Sequence, residues 1–170
     1  MYDITPKRSN KVASYTSTAL FVTALIAMLM SGISWLPYRS VMQLAALIIL
    51  GIAIAILVRY VLTGYSYAIV PAENGGYYLT VTEVKHRSRI TVCRISLASI
   101  EHTETVRSEN KKELAPKVRG YKTFNYCVDL APSELFCIFA NECGESLAIK
   151  LSYDQDLIDL ISRLCDTEER

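Results

Sequence analysis

Two stretches of the chain carry no charged side chain at all, Val12 to Tyr38 and Ser40 to Val58. A hydrocarbon core about 30 Å thick is crossed by roughly 20 apolar residues rising about 1.5 Å each. Both stretches reach that length, so the pattern predicts two transmembrane helices. Only Pro37, Tyr38, Arg39 and Ser40 separate them, which predicts an antiparallel hairpin over residues 12–62 behind an N-terminal tail, residues 1–11. The first span is long for a signal-peptide core, lacks a small-residue cleavage site and is followed at once by a second span, so cleavage is not expected.

After residue 65 the period changes from helical to alternating. Tyr77, Leu79 and Val81 fall on one face of a strand, as do Phe124, Tyr126, Val128 and Leu130, and Leu147, Ile149 and Leu151. Seven strands are expected: Tyr65–Val70, Tyr77–Val84, Arg89–Ile95, Ser99–Thr105, Lys122–Leu130, Leu135–Ala140 and Ser146–Leu151. Turn signals at Asn74-Gly75-Gly76, Ala131-Pro132-Ser133 and Asn141-Glu142-Cys143-Gly144 separate them. Ile90 and Val92 share one phase while Cys93, Ile95 and Leu97 share the other, which predicts a bulge. The polar segment Val106–Gly120 reads as a long loop. At the end, Ser152 to Gln155 resembles a capping box. Tyr153, Leu157, Leu160, Ile161 and Leu164 then make one apolar helical stripe.

The fold class expected is therefore α+β: a two-helix transmembrane hairpin, then a seven-stranded β-barrel or sandwich closed by a C-terminal amphipathic helix, over residues 65–170. Strand order with one terminal helix, and the run Tyr77–Thr105 with Arg94-Ile95-Ser96-Leu97-Ala98-Ser99-Ile100-Glu101 at its centre, resemble the bacterial pleckstrin-homology-like (PH-like) domains found behind membrane helices. The resemblance covers roughly residues 65–165. It implies a recognition or assembly module rather than an enzyme.

Charge orients this picture. Residues 1–62 carry a net charge of +4 and the remainder −3, within an overall +1. Lys7, Arg8 and Lys11 precede the first span and Arg59 ends the second, against Arg39 alone in the turn. The bias toward basic cytoplasmic flanks puts both termini in the cytoplasm of a two-pass cell-membrane protein. Trp35 and Tyr38 at the turn, with Tyr15, Tyr60 and Tyr65 at the opposite ends, read as headgroup anchors. The acidic remainder gives no electrostatic reason to expect nucleic acid. Neither span has an ionisable centre, which argues against an ion or proton path.

Candidate chemistry is sparse. The cysteines, Cys93, Cys127, Cys137, Cys143 and Cys165, include no C-x-x-C pair, so reduced, mostly buried thiols are expected and no metal or cofactor. His86 and His102 lack any catalytic motif around them. Lys85, Arg87 and Arg89 alternate, and on one strand face would meet anionic lipid headgroups; the plain reading is a solvated turn. Ala19, Thr23, Ala27 and Ser31 in the first span, and Gly51 and Ala55 in the second, recur every fourth residue. Such ridges let helices approach closely, either within the hairpin or toward another subunit or a second copy of the chain. The leading expectation is a membrane-anchored scaffold presenting its domain to an unknown protein partner. The alternative is a small subunit of a transport or envelope complex held through its helices.

Overall fold

The computed structural model describes residues 2–32, 38–73, 75–86 and 88–168. The chain divides into two compact units: residues 10–63 form one, and residues 1–9 with 64–170 form the other.

The first unit is a pair of packed helices, α1 (Val12–Ser31) and α2 (Arg39–Ile56), the latter prolonged by a π-helical turn, Leu57–Leu62. Both are long and apolar enough to cross a membrane. Burial on α1 follows Ala13, Ser17, Leu20, Ala24, Ala27 and Ser31, in steps of four and three; on α2 it follows Met42, Ala46, Ile49, Ala53 and Ile56. This alternation of fours and threes is the spacing of a coiled-coil seam. Its fully buried members are all small, whereas Val22, Leu25, Leu29, Leu44 and Leu47 are exposed. Buried hydroxyls are satisfied inside the helix: Ser17 Oγ donates to the Ser14 carbonyl (3.0 Å) and Ser31 Oγ to Met28 (2.7 Å).

The second unit is α+β, with eight strands among the described residues. They are β1 (Tyr2–Ile4), β2 (Thr63–Pro71), β3 (Tyr77–Lys85), β4 (Ser88–Ser96), β5 (Ile100–Arg107), β6 (Lys122–Asn125), β7 (Glu134–Glu142) and β8 (Glu145–Ser152), with helices α3 (Lys111–Lys117) and α4 (Gln155–Glu168). Two four-stranded sheets form, ordered β1-β2-β3-β4 and β5-β7-β8-β6. Among the described residues they do not close into a barrel, so the barrel expectation gives way to two open sheets sharing one core. Residues 1–11, read from sequence as a tail, supply β1, whose Tyr2, Asp3 and Ile4 pair with Ile69, Ala68 and Tyr67. The Ser66 hydroxyl donates to the Asp3 carboxylate beside this ladder.

The main core draws Tyr67, Leu79, Val81 and Ile95 from the first sheet, Phe136, Ile138, Ile149 and Leu151 from the second, and Leu157 and Ile161 from α4. Strand β7 is buried on both faces: Leu135, Cys137 and Phe139 point into a second cluster with Leu114 and Val118 around α3. That explains its unbroken apolar run, since alternation disappears when neither face meets water. The bulge is present: Val81 pairs with Cys93 and Thr82 with Thr91, leaving Val92 as the extra residue.

Three local expectations change. Strand β6 stops at Asn125 rather than Leu130, because the Asn125 side-chain carbonyl accepts the Cys127 N–H (3.0 Å) and turns the chain. The Val106–Gly120 segment is largely the end of β5, a turn and α3, and Gly120, three residues past the end of α3, turns the chain with φ +99°. Asp154, not Ser152, caps α4, its carboxylate accepting the Leu157 N–H at 3.1 Å. Ser152 is used inside: its N–H donates to Tyr67 Oη (3.1 Å), its Oγ accepts from Val128 N–H (3.0 Å), and Tyr67 Oη donates to the Tyr126 carbonyl (2.8 Å). Tyr65, expected at a membrane interface, is a buried core residue set edge-to-face on Tyr126 at 5.5 Å. Trp35 and Pro37 lie outside the described residues.

Candidate functional site

The basic cluster sits at the tip of the β3–β4 hairpin. Lys85 pairs with Ser88 and Val84 with Arg89, so the turn is two residues long. His86 takes φ +46°, the left-handed conformation that such turns require. Residues opposite each other across an antiparallel pair share a face. Lys85 therefore lies with Glu83, Ser88 and Ile90, while Arg89 lies with Val84 and Thr82. The one-face arrangement expected from alternate spacing does not form, because the chain reverses between Lys85 and Arg89 and reverses the parity with it. Lys85 is also bound to Glu83, Nζ to Oε1 at 2.8 Å. Arg89 is exposed, and Arg87 lies outside the described residues.

Strand β4 forms the outer edge of its sheet and exposes Ile90 (58%) and Val92 (36%). Its backbone is not free along its length. Tyr126 Oη donates to the Val92 carbonyl (3.4 Å) and Glu142 Oε2 accepts the Ser96 N–H (3.4 Å). With the bulge, these contacts blunt the edge against further strand addition. Arg94 stacks over the Tyr78 ring, 4.1 Å from its centroid.

The small-residue ridge of the first unit is mostly turned outward. Ala19, Thr23, Gly51 and Ala55 are exposed, Ala27 is half-buried, and Ser31 alone is buried against the partner helix. A Cβ added at Gly51 would meet nothing within 4 Å. The helices approach instead along Ala13, Ser17, Ala24, Ala46 and Ala53, a seam hidden in sequence because two overlapping small-residue patterns run along each span.

None of the five cysteines is in a disulfide. Burial raises the Cys137 thiol to about 11, opposed by the Lys150 charge and aided by Glu104. Burial likewise raises Cys93, opposed by its hydrogen bond with Tyr126 and aided by Glu142. Both stay protonated at neutral pH, the opposite of an activated nucleophile. Cys143 is exposed in the β7–β8 turn. His102 stacks flat on Phe139, 4.2 Å between centroids, and Tyr121 meets the same ring edge-on at 5.2 Å. It serves as a lid on the second cluster.

The second sheet has a polar row on its outer face. Register aligns Glu104, Cys137, Lys150 and Asn125 across β5, β7, β8 and β6. Glu104 is taken by Lys117 of α3 at 2.5 Å. Beside the row, Asp129 is almost wholly buried. Its Oδ2 accepts the Ser9 N–H (2.9 Å) and the Ser9 hydroxyl (2.6 Å). Sequence reading singled out neither Lys150 nor Asp129; the row depends on strand pairing, which no local pattern reveals. No family model, curated protein or solved structure matches the chain.

Proposed function

We propose that this protein is a membrane-anchored interaction module, its helical hairpin crossing the cell membrane twice and holding a PH-like domain at the cytoplasmic face. The observation that carries the reading is the pairing of Tyr2–Ile4 with Tyr67–Ile69. Residues before α1 and after α2 complete one sheet, and Ser9 adds a buried contact to Asp129. Both ends of the hairpin therefore belong on one side of the bilayer. Cleavage after the first span would strip β1 from the fold. Lys7, Arg8 and Lys11 favour the cytoplasm for that side. Exposed leucines around a seam of alanine and serine suit a lipid solvent.

A PH-like domain is supported by two open sheets around one core with a terminal amphipathic helix packed against it. The chain adds β1, a β6 that runs parallel to β8, and α3 on the outer face. Tethering concentrates such a module near membrane partners, so weak contacts suffice. The second reading, a subunit held in a larger complex through its helices, is favoured by the outward-facing Ala19, Thr23, Gly51 and Ala55.

Crosslinking in native membranes, followed by mass spectrometry, separates the two. The full chain is compared with a version whose residues 12–62 are replaced by an unrelated two-span hairpin. Partner crosslinks that survive the exchange support the module; crosslinks lost with the original hairpin support the subunit.

A further inference from the structure

Between α3, the 125–132 segment and β8 lies a cavity of about 220 Å³. Leu114, Leu130, Pro132 and Leu135 supply apolar walls, and Asp129 and Lys150 both line it. The two charges do not neutralise each other: among the described residues the Lys150 ammonium forms no ion pair. Asp129 is 7% exposed, and Ser9 occupies only its Oδ2. Among the described residues its Oδ1 accepts no hydrogen bond.

A half-buried lysine and a buried aspartate on one small pocket of mixed polar and apolar lining select against simple ions. An anion drawn to Lys150 meets the repulsion of Asp129, and a cation drawn to Asp129 meets that of Lys150. A ligand carrying both charges satisfies both walls. A cavity of about 220 Å³ suits a ligand of a few heavy atoms. We propose that it binds a small α-amino acid with a short aliphatic side chain, carboxylate to Lys150, ammonium to Asp129 and side chain to the leucines. This reading is independent of the membrane-module proposal and would make that module responsive to a metabolite.

Equilibrium dialysis of the full chain in detergent micelles with radiolabelled L-alanine and L-valine tests it. Saturable binding of at least one is expected. Isobutylamine, isobutyrate and glycine betaine should compete about tenfold more weakly or worse, because each lacks one charge or, for betaine, the N–H donors. Lys150→Met should weaken binding by about tenfold or more, with protease resistance unchanged, and Lys150→Arg should restore most of it. The proposal is overturned if neither amino acid binds saturably, if a single-charge analogue competes equally, or if folded Lys150→Met binds as the parent does. Should Lys150→Met fail to fold, the competition series on the parent chain still decides.

Discussion

The two units of this chain place side-chain volume in opposite ways. On helices α1 and α2 the buried side chains are alanine and serine, while Leu29 stands 69% exposed. In the sheet unit the largest fully buried side chains include Tyr67, Phe136, Phe139 and Leu79. Water drives large apolar groups inward, because burial is worth roughly 25 cal/mol per Å². Lipid gives no such drive, so helices there approach through small residues and leave large ones outside. The difference is the one expected if the proposed hairpin sits in lipid and the sheets in water, where one hydrophobicity rule applied throughout would misread residues 10–63.

The largest effect expected is in the sheet unit. Leu157→Asp puts a carboxylate at a fully buried position of α4 and should cost several kcal/mol, seen as lost thermolysin resistance of the full chain in micelles. Asp159→Ala, on the exposed face where Asp159 accepts from Gln155 Nε2 at 2.8 Å, should change it little. Equal resistance in both variants would show that α4 does not seal the core.

Next comes the inverse substitution in the hairpin. Ala53→Leu adds volume to a fully buried seam position and should destabilise α1–α2 packing by about 1–3 kcal/mol in an SDS titration. Leu29→Ala, deleting far more apolar surface, should leave the titration near the parent. If Leu29→Ala is the damaging change, the hairpin is packed as a water-soluble protein and the comparison fails. Tyr67→Phe should cost about 1–3 kcal/mol, since it orphans the Ser152 N–H inside the core.

Smallest is the basic hairpin tip. Each exposed basic residue near anionic lipid is worth about 1 kcal/mol, and Glu83 already occupies Lys85. Neutralising Lys85, Arg87 and Arg89 together in the full chain should reduce salt-sensitive crosslinking of the tip to anionic lipid in nanodiscs. Crosslinking unchanged by the substitutions would make the tip an ordinary solvated turn.

Much of this architecture is legible in residue order because local physics governs it. Uncharged runs, alternation at Tyr77, Leu79 and Val81, and the phase switch at Val92 each follow from one element's own solvent exposure. What stays hidden depends on partners distant in sequence. Tyr2–Ile4 is too short to read as a strand until β2 is beside it. Leu114 and Val118 look like loop residues among charges and Pro116 until the outer face of β7 needs covering. Lys85 and Arg89 share a face in sequence but not across a two-residue turn. The Asp129–Lys150 cavity exists only where three separate segments meet.

The central claim is that both ends of the hairpin lie in the cytoplasm, on the same side as the sheet unit. Labelling intact cells with a membrane-impermeant maleimide tests it directly, since Cys143 is an exposed native thiol in the β7–β8 turn and Ser40 sits at the start of α2. The account predicts that Cys143 is protected until the cells are lysed and that Ser40→Cys adds label from outside. Labelling of Cys143 in intact cells, with a Ser40→Cys site that stays protected, would contradict it.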